Sequence, residues 1–223
     1  MTTENETRPL ILASASPRRR ELLALTGLAF QVAPAQVDET PLPDESPEAF
    51  VRRISWDKAE TVAGQRSPGM VVAADTIVVD EGRILGKPAD AAEARQMLQA
   101  LRGRSHRVLT AVSVIDPRSG NRLPDLACTD VPMREYGDQE IEGYIASGDP
   151  FDKAGAYAIQ HAGFRPVNGL RGCYANVMGL PLCHLARTLR RLSVTLPRDV
   201  PQACQAHTGY DCPVYQDVLE GRL

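Results

Sequence analysis

No apolar run in this 223-residue chain approaches the ~20 residues that span a bilayer, so no membrane-crossing helix is expected. Residues 1–9 are polar and lack the apolar stretch of a secretory leader; they read as a flexible N-terminus. Positive charge is not in excess: 25 Lys and Arg against 28 Asp and Glu leave a net charge of −3. That balance excludes broad electrostatic binding to nucleic acid or to an anionic membrane. The five cysteines are an odd number without a regular framework, which points to free thiols in a reducing cytoplasm. Internal repeats and low-complexity segments are also absent. What remains, 43% hydrophobic and 24% charged, is the composition of a soluble globular protein. Its length suits one domain, or one core with two lobes.

The most informative stretch is residues 10–27, LILASASPRRRELLALTG. An apolar run at 10–13 has the pattern of a buried strand. Ser16 then reads as an N-cap, Pro17 as the first helical residue and Gly27 as the residue that ends the helix. Arg18, Arg19 and Arg20 fall in the first turn, where the helix dipole already favours anions. Cations stacked there make physical sense in front of a multiply charged anion, although an ordinary basic helix face would read the same way.

Further along, residues 29–33 predict a second strand, and Ser46-Pro47-Glu48 starts a helix carrying Phe50, Ile54 and Val62 on one flank. Lys58 lies near that inward flank. Residues 70–79, MVVAADTIVV, form the strongest strand, apolar enough to be covered on both faces. Asp75 and Thr76 stand in its middle, and a carboxylate there needs a partner, a metal or an exposed strand end. A hairpin leads to Gly86-Lys87-Pro88, then Asp90 caps a helix to about Leu101. Strands are expected at 106–115 and 126–133, and a helix at 138–147. Residues 148–160 look like a functional loop running into a short strand. A last amphipathic helix ends near Leu192.

Beyond Ser193 no periodicity is sustained, and a loosely packed or partner-bound tail is expected. Cys204, His207 and Cys212 are three potential ligands at irregular spacing, a weak match to a metal site. On this reading, truncation after Leu192 leaves the core intact.

Arginines at a helix start, Glu39 on a loop, Asp75 on a strand and lysines at 58, 87 and 153 suit a polyphosphate ester with a divalent metal. Hard oxygen ligands select Mg²⁺ or Mn²⁺. Cations neutralise departing phosphates, and a carboxylate can take a proton from an attacking water. Alternating strands and helices predict an α/β fold with the site in a cleft.

The spaced motifs SASPRRRELL (14–23), AADTIV (73–78), LGKP (85–88), LRGRSH (101–106), GDPFDKAGAYAIQ (148–160) and VMGLP (177–181) resemble those of the Maf-like nucleoside triphosphate pyrophosphatases, which have the inosine-triphosphatase-like fold. The resemblance implies a catalytic domain at 10–192, with 193–223 as an extension. It also implies a mixed, elongated central sheet flanked by helices, with two lobes around a substrate cleft. The implied activity is cleavage of a nucleoside triphosphate between the α and β phosphates. Asp75 matches the proton acceptor, and Arg18, Thr76 and Gln160 match positions tied to substrate choice. Ser14, Ser16, Arg18, Arg19, Lys58, Lys87 and Lys153 match the phosphate-binding groups. Glu39, Asp75 and Asp152 match acidic groups for a Mg²⁺ or Mn²⁺ ion. The DKAGAYAIQ form is similar to the branch that takes dTTP and UTP, with modified pyrimidine nucleotides as further candidates. A cytoplasmic homodimer is implied, with neither nucleic acid nor membrane as partner. The alternative is a non-catalytic nucleotide-binding regulator of septum formation; retention of Asp75 favours catalysis. His161 stands where the family has glycine, and it is expected to narrow or reposition the loop.

Overall fold

The computed structural model describes residues 9–65 and 69–223, so the expectation for residues 1–8 lies outside them. The elements, in chain order, are β1 (Leu10–Leu12), α1 (Pro17–Ala24), β2 (Phe30–Val32), α2 (Pro47–Gly64), β3 (Met70–Asp80), β4 (Arg83–Leu85), α3 (Ala91–Leu101) and β5 (Ser105–Asp116). They continue with β6 (Asn121–Pro132), α4 (Asp138–Ala146), α5 (Tyr174–Met178), α6 (Leu182–Arg191), α7 (Val200–Thr208) and α8 (Tyr215–Leu219). The fold is α/β, with a mixed sheet in the order β2-β1-β3-β5-β6 and β4 also beside β3.

The pairing along β3 is what makes a site. On one edge, β5 runs antiparallel from Val71 to Val79. The other edge is shared. β1 lies parallel to Met70, Val71 and Val72, whereas β4 pairs antiparallel with Val78, Val79 and Asp80. Among the described residues, 73–77 therefore have no strand partner on that edge, and the sheet is open beside Asp75.

Strand alternation assigns the two faces. Val71, Ala73, Ile77 and Val79 pack against α2, through Ala59 and Val62 at one end and Phe50, Val51 and Ile54 at the other. That is the inward flank the sequence predicts, and Ser46 caps the helix by accepting from the Ala49 N–H at 3.2 Å. On the opposite face, Met70, Val72 and Ala74 join Leu22 and Leu23 of α1 and Leu182, Leu185 and Leu189 of α6. Val78 belongs to a separate cluster with Ala94, Leu98, Ile141 and Tyr144. These two clusters are the expected lobes, and Thr76 falls between them.

Two local expectations are corrected. Residues 148–160 contain no strand; they form two 3₁₀ turns, Asp149–Asp152 and Ala154–Ala156. The tail is not loosely packed. Asp199 caps α7 by accepting from the Gln202 N–H at 3.0 Å, Val200 is 0% exposed and Val218 is 2% exposed. Val200 sits in the α1–α6 core cluster, with Leu196, Cys204 and Leu219 packed against it. Arg187 of α6 donates to the Val218 carbonyl at 2.7 Å and pairs with Asp125 at 2.8 Å. Helices of nine and five residues are too short to announce themselves by periodicity.

Truncation after Leu192 is thus expected to destabilise the protein. At about 1.5–3 kcal/mol per buried aliphatic side chain, Val200 and Val218 alone account for about 3–6 kcal/mol. Urea unfolding of the full and truncated chains measures this; an unchanged midpoint would mean the extension packs without stabilising.

Candidate active site

A cavity of about 610 Å³ opens at the gap in β3. Its wall includes all twelve side chains nominated from sequence: Ser14, Ser16, Arg18, Arg19, Glu39, Lys58, Asp75, Thr76, Lys87, Asp152, Lys153 and Gln160. They arrive from the β1–α1 turn, the loop after β2, α2, β3, the loop after β4, the 3₁₀ turns and the segment that follows. Another cavity, lined by Arg190, Asp199, Tyr210 and Tyr215 among others, brings together no comparable set.

Asp75 is 7% exposed and lies on the α2 face of β3. Lys58, one turn after Ile54, is aimed at the sheet rather than at solvent. Its Nζ donates to Asp75 Oδ1 at 2.7 Å and stands 2.7 Å from Glu39 Oε1. Burial raises the Asp75 pKa, while Lys58 and, through space, Arg19 pull it down; burial prevails.

Thr76, the next residue, points to the other face. There its Oγ1 accepts from Arg19 Nη2 at 3.0 Å and lies 2.9 Å from Thr110 Oγ1. Thr110 gives its own proton to the Asn176 carbonyl at 3.0 Å, so Thr76 is the donor to Thr110. Arg19 also donates from Nε to the Gly179 carbonyl at 2.9 Å and from Nη1 to Ser14 Oγ at 3.4 Å. Its guanidinium is therefore fixed by three elements. Burial lowers its pKa, and Asp75 opposes that effect. Gly179 has φ +107°, and a Cβ there would lie 3.3 Å from Thr76 Oγ1, so the glycine of VMGLP is what lets α5 end against this pair.

Across the cleft, Lys153 is buried, and its Nζ donates to the Asp149 carbonyl at 2.6 Å, Asp149 Oδ1 at 3.0 Å and Asp152 Oδ1 at 2.6 Å. Burial works against the Asp149 charge, but hydrogen bonds from Tyr144 and Lys153 hold its pKa below the ordinary value. Gly155 brings this turn onto β3; its φ is +70°, and a Cβ would meet Val78 at 3.1 Å. Asp149, Thr110 and Asn176 are the supporting residues that sequence reasoning missed. Asp149 lies inside the quoted motif, whereas nothing local marks the other two.

Arg18, Lys87 and Gln160 differ from these groups, because none makes a hydrogen bond or ion pair among the described residues. Ser16 caps α1, its Oγ accepting from the Arg19 N–H at 3.4 Å. His161 is not part of the cavity wall. Its Nδ1 accepts from the Phe164 N–H at 2.8 Å and its ring meets Tyr144 edge-on, so it anchors the following turn instead of narrowing the cleft. The LRGRSH segment is the α3–β5 turn, where Arg104 pairs with Asp80 and Glu81 at 2.8 and 2.9 Å.

Among the described residues, no three acidic, His or Cys side chains are grouped to hold a metal, so Glu39, Asp75 and Asp152 do not form one three-carboxylate cluster. Asp152 is engaged by Lys153. Glu39 and Asp75 do converge, on the Lys58 ammonium. Two hard carboxylates beside a ligand cleft fit Mg²⁺ or Mn²⁺, because such ions commonly take one or two carboxylates and complete their shell with phosphate oxygens and water.

Fold and cleft together define an α/β protein with a cation-rich cleft at a break in its sheet. The chain belongs to the Maf-like protein family: residues 9–192 match the family model. It is 49% identical over 211 residues to a protein of Thermomicrobium roseum named dTTP/UTP pyrophosphatase, covering 92% of this chain and 93% of that one. That similarity is too long to end at Leu192. A protein of the same name from Anaeromyxobacter dehalogenans is 50% identical over 194 residues, covering 86% and 98%. One from Syntrophus aciditrophicus is 46% identical over 194 residues, covering 86% and 95%.

Carboxyl ¹³C NMR, with Asp75→Asn to assign the resonance, tests the electrostatics. Asp75 is expected to titrate above the ordinary 3.8. In Lys58→Met the counter-charge is gone, so the midpoint moves further up. An unchanged or lowered midpoint would show that the ammonium does not face this carboxylate in solution.

Proposed function

We propose that this chain is a nucleoside triphosphate pyrophosphatase that converts dTTP and UTP to the monophosphate and pyrophosphate. The observation that carries this reading is the charge of the cleft. Five cations, Arg18, Arg19, Lys58, Lys87 and Lys153, face three carboxylates in a protein whose net charge is negative. Among the described residues the Arg18 and Lys87 side chains have no partner, and unpaired cations in a concave site call for an anion. The relatives' names supply the substrate class, and the retained DKAGAYAIQ segment supports the pyrimidine preference.

In the mechanism, Asp75 takes a proton from water as the water oxygen attacks the α-phosphorus. The bond from that phosphorus to the bridging oxygen breaks, and pyrophosphate leaves with the bridging oxygen. Burial makes Asp75 a better base than a surface carboxylate, while Lys58 favours its charged form and aims it. Arg18 and Lys87 meet the charge on the departing phosphates. Gly179, Ser14 and Thr76 take three of the five Arg19 N–H donors and fix the guanidinium, leaving two to meet phosphate. A Mg²⁺ or Mn²⁺ ion held by Glu39 and Asp75 would supply further charge neutralisation. Gln160 is exposed at the rim and offers both a donor and an acceptor, as a uracil or thymine edge requires. A homodimer in the cytoplasm belongs to the same proposal. Among the described residues no helix is long and apolar enough to cross a membrane.

Pyrophosphate release from dTTP and UTP tests the proposal directly. Asp75→Asn is expected to fold normally and lose roughly two to four orders of magnitude in turnover. Wild-type protein that binds dTTP without releasing pyrophosphate would favour the regulatory alternative.

Base reading is tested separately, by kcat/KM for dTTP, UTP, CTP and GTP. Arg18→Ala is expected to weaken every triphosphate if it meets only phosphate, and unequally if it also reads the sugar or base. Gln160→Ala is expected to lower the dTTP and UTP values alone, since a base edge loses its partner. A uniform loss with Gln160→Ala would remove that residue from base recognition.

A further inference from the structure

Four of the five cysteines come together far from the cleft. Cys173 is the residue before α5, Cys183 is in the first turn of α6, Cys204 is on α7 and Cys212 lies between α7 and α8. They line one small apolar cavity of about 10 Å³, with Leu182, Pro201 and Tyr210 also in its wall. None of the four is in a disulfide. Cys128, the fifth, is exposed on β6. His207, the third ligand considered from sequence, is exposed and not part of this wall.

We propose that Cys173, Cys183, Cys204 and Cys212 form a tetrathiolate site for a zinc ion, which ties the C-terminal extension to the core. Two ligands come from the family core and two from the extension, so the ion would bridge them. Cysteine packed merely as a small hydrophobe has no need to bring four residues of its kind to one cavity wall. Cavity size favours a single ion over an iron–sulfur cluster, since the space holds about one atom-sized occupant. Burial pushes the Cys183 thiol up to about 12 and the Cys204 thiol up to about 11, so zinc must displace their protons as it binds. As the side chains stand, no three of them are close enough around one point to coordinate an ion. Binding therefore requires the four side chains to rearrange around the ion.

The test uses the full chain, purified under reducing conditions, incubated with ZnCl₂ and gel-filtered before metal analysis. One zinc per chain is expected, retained in Cys128→Ser and lost in Cys173→Ser and Cys204→Ser. Titration of the wild-type chain with cobalt(II) should give thiolate-to-metal charge-transfer bands and the intense d–d bands of a tetrahedral site. That spectrum decides the matter even where a serine variant fails to fold. Zinc retained by both Cys173→Ser and Cys204→Ser, or no zinc and no tetrahedral cobalt spectrum in the wild type, would overturn the proposal. So would equimolar iron and sulfide, or a mass after non-reducing alkylation that reveals disulfides among the four.

Discussion

A carboxylate cannot sit in the middle of an interior strand without compensation, and the arrangement around Asp75 follows from that constraint. The strand carries it because β1 and β4 cover only the two ends of one edge of β3, leaving residues 73–77 open to a cleft. Lys58 reaches it because α2 lies along the face to which Asp75 points. The pair is close enough to stabilise the charged carboxylate, while burial still raises its pKa. A group held in that balance is a stronger base than an exposed aspartate, which suits proton abstraction in our proposed mechanism.

The cations of the cleft divide into two kinds. Lys58, Lys153 and Arg19 are held by protein acceptors, and their positions are set before any ligand arrives. Among the described residues, the Arg18 and Lys87 side chains lack such partners. Preorganised charge shapes the site without reorganisation, and the unpaired charge is available to a phosphate. Adjacent residues on one helix thus have different jobs: Arg19 turns inward to join β3, α5 and the β1–α1 turn, whereas Arg18 stays at the wall.

The extension beyond the family core is part of the folded unit. Val200 enters the cluster built by α1 and α6, and Arg187 links α6 to both Asp125 and the backbone of α8. The four thiols of our zinc proposal lie at the same junction. Such a clip would stabilise the packing of two helices that are too short to persist alone.

Much of this protein was legible in its residues. The apolar runs at 10–13 and 70–79, the Ser16-Pro17 and Ser46-Pro47 helix starts and the flank of α2 follow from local preference and periodicity, which depend on near neighbours. Ten of the twelve nominated residues lie in short motifs, Glu39 and Lys58 being outside them, and all twelve line one cavity. Tertiary structure alone decided how they are used. That Lys58 faces Asp75, that Arg19 is a fixed strut while Arg18 is unpaired, and that His161 anchors a turn depend on contacts between distant segments. The same holds for the packed extension and for the meeting of Cys173 and Cys183 with Cys204 and Cys212. Sequence spacing carries no information about which face of one element meets another; the gap in β3 and the packing of α2, α6 and α7 supply it.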